Sequence, residues 1–139
     1  MKKMLLLFVE TLTKREKKGI IKIKRDLSLR NVSQSLSIDP ILYNNLHGLI
    51  ITEDERSIKF EVEVLDSQHI KLASIGNVII AFDCSRKNEA DEWDIINYQS
   101  KYIITKSLSS FLNNKIWAWL DRKRNIWIEE LYDNRGQND

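Results

Sequence analysis

Apolar residues open the chain as a short run, Met4–Val9, which stops at Glu10. It predicts a core strand or a short helix. A polar turn through Lys18-Gly19 separates it from Ile20-Ile21-Lys22-Ile23-Lys24, β-branched and partly alternating, which predicts a strand. Leu29, Val32 and Leu36 then fall at i, i+3 and i+7, one stripe of a short helix with Ser28 as its cap. Asp39-Pro40 is expected to end that unit. Residues 41–46 predict one further helical turn, stopped near Gly48. Leu49–Thr52 reads as a second strand, and residues 54–57 as a turn. Ile58-Lys59-Phe60-Glu61-Val62-Glu63-Val64 is the clearest strand, apolar and charged residues alternating at period two. These two strands predict an antiparallel hairpin with one solvated face.

Residues 67–82 carry two patterns at once. A helix capped by Ser67 puts Leu72, Ile75, Ile79 and Phe82 on one stripe. A hairpin instead turns at Gly76-Asn77 and returns along Val78–Phe82. Gly76 weighs against the helix by about 1 kcal/mol. Residues 84–94 are polar and turn-like, and residues 95–106 show no clean period. Beyond them Leu108, Phe111, Leu112, Ile116, Trp119, Leu120, Trp127, Ile128, Leu131 and Tyr132 follow helical spacing. The pattern predicts an α+β fold: a small antiparallel sheet with helices on one face and a C-terminal helical extension. The expected divisions are a core at 1–83, the extension at 84–133 and a frayed tail at 134–139.

Composition narrows the class. A length of 139 residues, 42% hydrophobic and 30% charged, suits a soluble domain and excludes collagen-like or wholly disordered chains. One cysteine, Cys84, excludes a disulfide scaffold. No stretch approaches the roughly 20 apolar residues of a membrane helix. The opening run lacks a signal cleavage site, so a cytoplasmic protein with no membrane partner is expected. The net charge of +2 conceals an asymmetry. Residues 1–30 hold ten basic and three acidic residues; the remainder holds twelve and seventeen. A basic end on an acidic body suits contact with a polyanion through one face.

Catalytic signatures are missing from the sequence. It has no Gly-rich phosphate loop, paired-histidine helix, nucleophile elbow or cysteine pair, so no catalytic residue, metal or cofactor is expected. His47, His69 and Cys84 are isolated in sequence. Carboxylates cluster at Glu53-Asp54-Glu55 and at Glu89, Asp91, Glu92 and Asp94, where loop positions suit a solvated surface better than acid–base chemistry. Trp119 and Trp127 fall on the C-terminal apolar stripe. Trp117 falls off it, a candidate interface anchor. Glu61 and Glu63 share the wet face of one strand and suit a basic partner.

Residues 20–82, roughly 45% of the chain, resemble the small Pcc-type subunits of the KEOPS complex, which have a β-α-β-β-α layout. Ser35-Leu36-Ser37-Ile38-Asp39-Pro40 looks like the family's boundary after its first helix. Ile58–Val64 looks like its alternating strand, and Leu72-Ala73-Ser74-Ile75-Gly76-Asn77 is similar to its last-helix pattern. The arginine of that pattern is absent, and Gly76 is an extra residue. The resemblance implies a helix for residues 67–82 and a diverged paralogue acting as a non-catalytic subunit. Such a subunit would dimerise with a related small subunit and help bind tRNA while a larger catalytic subunit transfers threonylcarbamoyl to adenosine. Lys14, Arg15, Lys17, Lys18, Lys22, Lys24, Arg25 and Arg30 are then the expected tRNA-backbone contacts. A second reading is a stand-alone interaction protein, such as an immunity protein whose acidic residues 53–66 cover the basic active site of a toxic nuclease.

Overall fold

The first apolar run is helical. The structure, a computed structural model, describes residues 2–29 and 38–121. Helix α1 (Lys2–Lys17) runs through the stretch expected to be a polar turn, because that stretch is rich in Lys, Arg and Glu, all good helix formers. Leu5, Phe8 and Leu12, at i, i+3 and i+7, are its buried stripe. Lys14, Arg15 and Lys17 stand in the last turn, where cations meet the negative end of the helix dipole. Gly19, at φ +72°, ends it. Strand β1 (Lys22–Arg25) follows.

The expected helix at 28–36 lies mostly outside the described residues. Asp39-Pro40 begins the helix expected at residues 41–46. The Asp39 carboxylate accepts from the Ile41 N–H at 2.8 Å, and Pro40 opens α2 (Pro40–Leu46), where its missing N–H costs nothing. At Gly48 (φ +85°) a Cβ would lie 3.0 Å from the Asp26 carbonyl oxygen. Asp26 N–H donates to Gly48 O, and Gly48 N–H donates to Phe60 O, each at 2.8 Å. Glycine therefore lets three segments meet at one corner of the sheet.

Six further strands complete a meander: β2 (Leu49–Glu53), β3 (Arg56–Asp66), β4 (His69–Ile75), β5 (Val78–Asp83), β6 (Asp94–Asn97) and β7 (Ile103–Thr105). All seven form one antiparallel sheet in sequence order. The expected β2–β3 hairpin is present, and Ile58, Phe60 and Val62 point inward as their alternation predicts. Residues 67–82 are the β4–β5 hairpin, turning at Gly76-Asn77, and not the helix that the family resemblance implied. In place of the last helix of the expected β-α-β-β-α layout, four further strands, β4–β7, continue the sheet. The division expected after residue 83 falls inside this sheet, since Phe82 on β5 pairs with Ile95 on β6.

Over residues 108–120 the C-terminal helical stretch is continuous but irregular. Ser107 caps α3 (Leu108–Ser110) by accepting from the Ser110 N–H. A π-helical turn, Phe111–Lys115, follows, closed by a bond from Ile116 N–H to Phe111 O. Helix α4 (Ile116–Leu120) completes it. A π turn holds more residues than an α turn, so it advances the inward stripe. Ile116, Trp117 and Leu120 are buried, whereas Trp119 is half-buried at the margin. Trp127, Ile128, Leu131 and Tyr132 lie outside the described residues. The helices of the described residues bury their apolar sides against one face of the sheet, in a core containing Phe8, Leu46, Phe60, Leu72, Ile80 and Phe111.

Candidate functional site

Strand alternation sends every second side chain to the face opposite the helices. Lys24, Ile50, Lys59, Ser74 and Ile79 form one row across β1–β5 on that outer face. Lys71, Ala81, Ile96 and Ile103 form another across β4–β7. Ala81 and Ile96 are buried yet stand apart from the helical core. Among the described residues, every buried helical side chain belongs to the core on the other side of the sheet.

Acidic residues gather at the β3–β6 part of this face. Asp66, His69, Asp83 and Asp94 form a single cross-strand row. The next row holds Glu63 opposite Lys71. Lys71 Nζ lies 3.0 Å from Glu61 and 3.8 Å from Glu63, so one ammonium serves two carboxylates. Asp83 accepts from Ser85, and Asp94 from Asn88 at 2.9 Å. Adjacent strands stand about 4.8 Å apart. The five carboxylates therefore share one patch.

Asp66 is the most heavily bonded of them. It accepts from the Gln68 N–H at 2.8 Å, from His69 Nδ1 at 2.8 Å and from the Tyr98 hydroxyl at 2.8 Å. Those donors, the Gln68 amide foremost, hold its carboxyl down to about 2. In return, Asp66 raises the Tyr98 phenol. Tyr98 follows β6 while Asp66 ends β3, so this side chain spans the two intervening strands. Its ring meets His69 edge-on at 5.3 Å, and Lys101 Nζ sits 3.8 Å from its centroid.

Basic residues occupy the other end. Lys14, Lys17, Lys18, Lys22 and Lys24 are exposed along the end of α1 and the edge strand β1. Lys22 and Lys24 line a concavity of about 360 Å³ with Thr52 and Asp54. Two expected contacts are built into the fold instead. Arg15 forms a two-pronged ion pair with Asp121 and lies 4.6 Å over the Trp117 ring. Arg25 donates to the carbonyls of Asn45 (2.7 Å) and His47 (3.1 Å). The remaining one, Arg30, lies outside the described residues. Lys59 pairs with Asp26 at 3.0 Å.

Trp117 is not at the surface. Its ring packs 5.8 Å from Phe8, under Arg15, and the residue is 6% exposed. An interface anchor needs an accessible ring, so the structure corrects this expectation. The π turn that rotates Trp117 inward has no signature in residue spacing.

The two histidines do different work. His47 Nδ1 accepts from the Val62 N–H at 3.0 Å, and its ring stacks on Tyr43 at 4.6 Å, so it joins α2 to β3. His69 belongs to the acidic row. Burial, reinforced by Asp83, pushes the Cys84 thiol up to about 11, leaving no thiolate nucleophile at neutral pH. Among the described residues, no three His, Cys, Asp or Glu side chains are placed to hold a metal ion. Nor, among them, is any helix long and apolar enough to cross a membrane. Comparison with protein families, with curated proteins and with solved structures gives no match for this chain.

Proposed function

We propose that this protein acts by occlusion, laying the acidic part of its outer sheet face over a cationic surface of another protein, such as the active site of a nuclease. One observation carries the reading. Asp66, Asp83 and Asp94 stand in one cross-strand row beside Glu61 and Glu63, on the face that the described helices leave uncovered. Such a surface steers a basic partner in solution and repels nucleic acid. The role needs no cofactor and no reaction step of the chain's own, and the reading includes a cytoplasmic location.

The test is co-purification from native cells at low salt with the wild-type chain and with Glu63→Lys/Asp83→Lys. The reading requires a basic protein that the wild type retains and the variant loses, with the variant's thermal melt little changed. Equal retention by both would overturn it.

A tRNA-binding accessory role, with a related small subunit and a larger catalytic subunit as partners, is the second reading. It keeps one observation in its favour: Lys14, Lys17, Lys18, Lys22 and Lys24 are exposed on neighbouring elements. Phosphate contact there would give a steep salt dependence with little base preference. Unchanged tRNA affinity in Lys17→Glu/Lys18→Glu/Lys24→Glu would remove it.

A further inference from the structure

On the helical side of the sheet, a cleft of about 280 Å³ opens where α2, α3 and the β5–β6 connection meet. Leu42, Phe82 and Leu108 give it an apolar floor, and Trp93 forms one wall. Phe82 meets the Trp93 ring edge-on at 5.9 Å, which fixes the indole's orientation. The volume suits one extended side chain and falls short of a drug-sized pocket.

Three carboxylates stand at this cleft: Asp39, Asp91 and Glu92. Two of them are held by the backbone through one oxygen. Asp39 Oδ1 accepts from the Ile41 N–H at 2.8 Å, and Glu92 Oε1 accepts from the Leu108 N–H at 3.2 Å. Among the described residues, the second oxygen of each has no hydrogen-bond donor. Asp91 is exposed and sits in a left-handed turn at φ +59°.

The chain's own Lys87 shows what the wall accepts. Its Nζ rests 4.4 Å from the Trp93 ring centroid, within cation–π range. An apolar floor, an aromatic wall and flanking carboxylates together match a cation carried on an aliphatic stem. We infer that this cleft binds an alkylammonium group, in place of Lys87. The group would come from a lysine side chain of a partner protein or from a free diamine. The inference does not depend on the acidic sheet face, which lies on the other side of the molecule.

The test titrates the full chain with n-pentylamine, 1,5-diaminopentane, a lysine-containing peptide and, as the uncharged control, n-pentanol. The readout is the Trp93 indole N–H resonance, assigned by its loss in Trp93→Phe. Pentylamine should shift that resonance and pentanol should not. Lys87→Met removes the resident ammonium from an exposed position, and should tighten pentylamine binding about threefold or more. Trp93→Leu should weaken it about tenfold. If Trp93→Leu does not fold, the Lys87→Met comparison decides alone. A peptide that binds more tightly than the diamine identifies a protein source, and the reverse identifies a free amine. Equal response to pentanol and pentylamine, or unchanged affinity in Lys87→Met, overturns the proposal.

Discussion

The two faces of the sheet are built from the same strands and hold opposite chemistry. The inner face carries Ile51, Ile58, Phe60, Leu72, Ile80 and Ile95, all fully buried beneath the helices. The outer face carries Lys59, Glu61, Glu63, Lys71, Asp83 and Asp94; Lys71 pairs with Glu61 and Glu63, Lys59 with Asp26, and Asp83 and Asp94 accept from Ser85 and Asn88. Period-two alternation produces both. The inner face supplies most of the stability, because apolar area leaves water there. The outer face contributes little, because exposed ion pairs trade hydration for attraction at near parity. Charge can therefore be placed on the outer face to suit a partner, with little effect on folding.

The sharpest break of that comparison is Trp117→Ala. Removing an aromatic ring packed on Phe8 should cost about 3–5 kcal/mol in chemical denaturation. Trp119→Ala should cost less than half as much. Trp119 is half-buried at the margin, with Arg56 over its ring at 4.1 Å. Equal costs would contradict the phase shift at the π turn. Next in size is Arg15→Ala, which leaves Asp121 partly buried without its partner and should cost about 1–2 kcal/mol. On the outer face, Glu63→Lys should change stability by less than about 0.5 kcal/mol. It should also visibly slow association with a cationic partner at low salt.

Acid titration sharpens the same contrast. Asp66 and Asp26 are both held down to about 2, the first chiefly by the Gln68 amide and the second chiefly by Ser28 with Lys59. A lowered folded value favours the native state above the ordinary carboxylate range near pH 4. That contribution is lost as pH falls from about 4 to about 2. Thermal melts across this window should fall for the wild type and fall less steeply for Asp66→Asn. The smallest expected effect is chemical: Cys84 should resist alkylation at pH 8 in the native state and react once the chain is unfolded, as mass spectrometry would show.

Some of this could be read from residues alone, for identifiable reasons. The β2–β3 hairpin was legible because Ile58–Val64 alternates cleanly, so one period specifies one face. The β4–β5 hairpin was not, because Leu72, Ile75, Ile79 and Phe82 satisfy a helical stripe equally well. The decision came from β3 and β6, which flank the pair and satisfy its backbone hydrogen bonds. The acidic row was only half legible. Glu61, Glu63 and Asp66 lie on one strand, whereas Asp83 and Asp94 come from two others and meet them only through sheet register. The Lys87–Trp93 cleft gave no signal, since its walls come from four separate stretches of chain.

By itself the sequence determined the α+β class, the alternating face of β3, the start of the C-terminal helical stretch and the lack of known catalytic motifs. These depend on neighbours within a few residues, where period and propensity act. Tertiary structure alone decided the strand order, the burial of Trp117, the use of Arg15 and Arg25 as internal ties and the gathering of carboxylates on one face. Each of those turns on contacts between residues distant in the chain, whose energies no local pattern encodes.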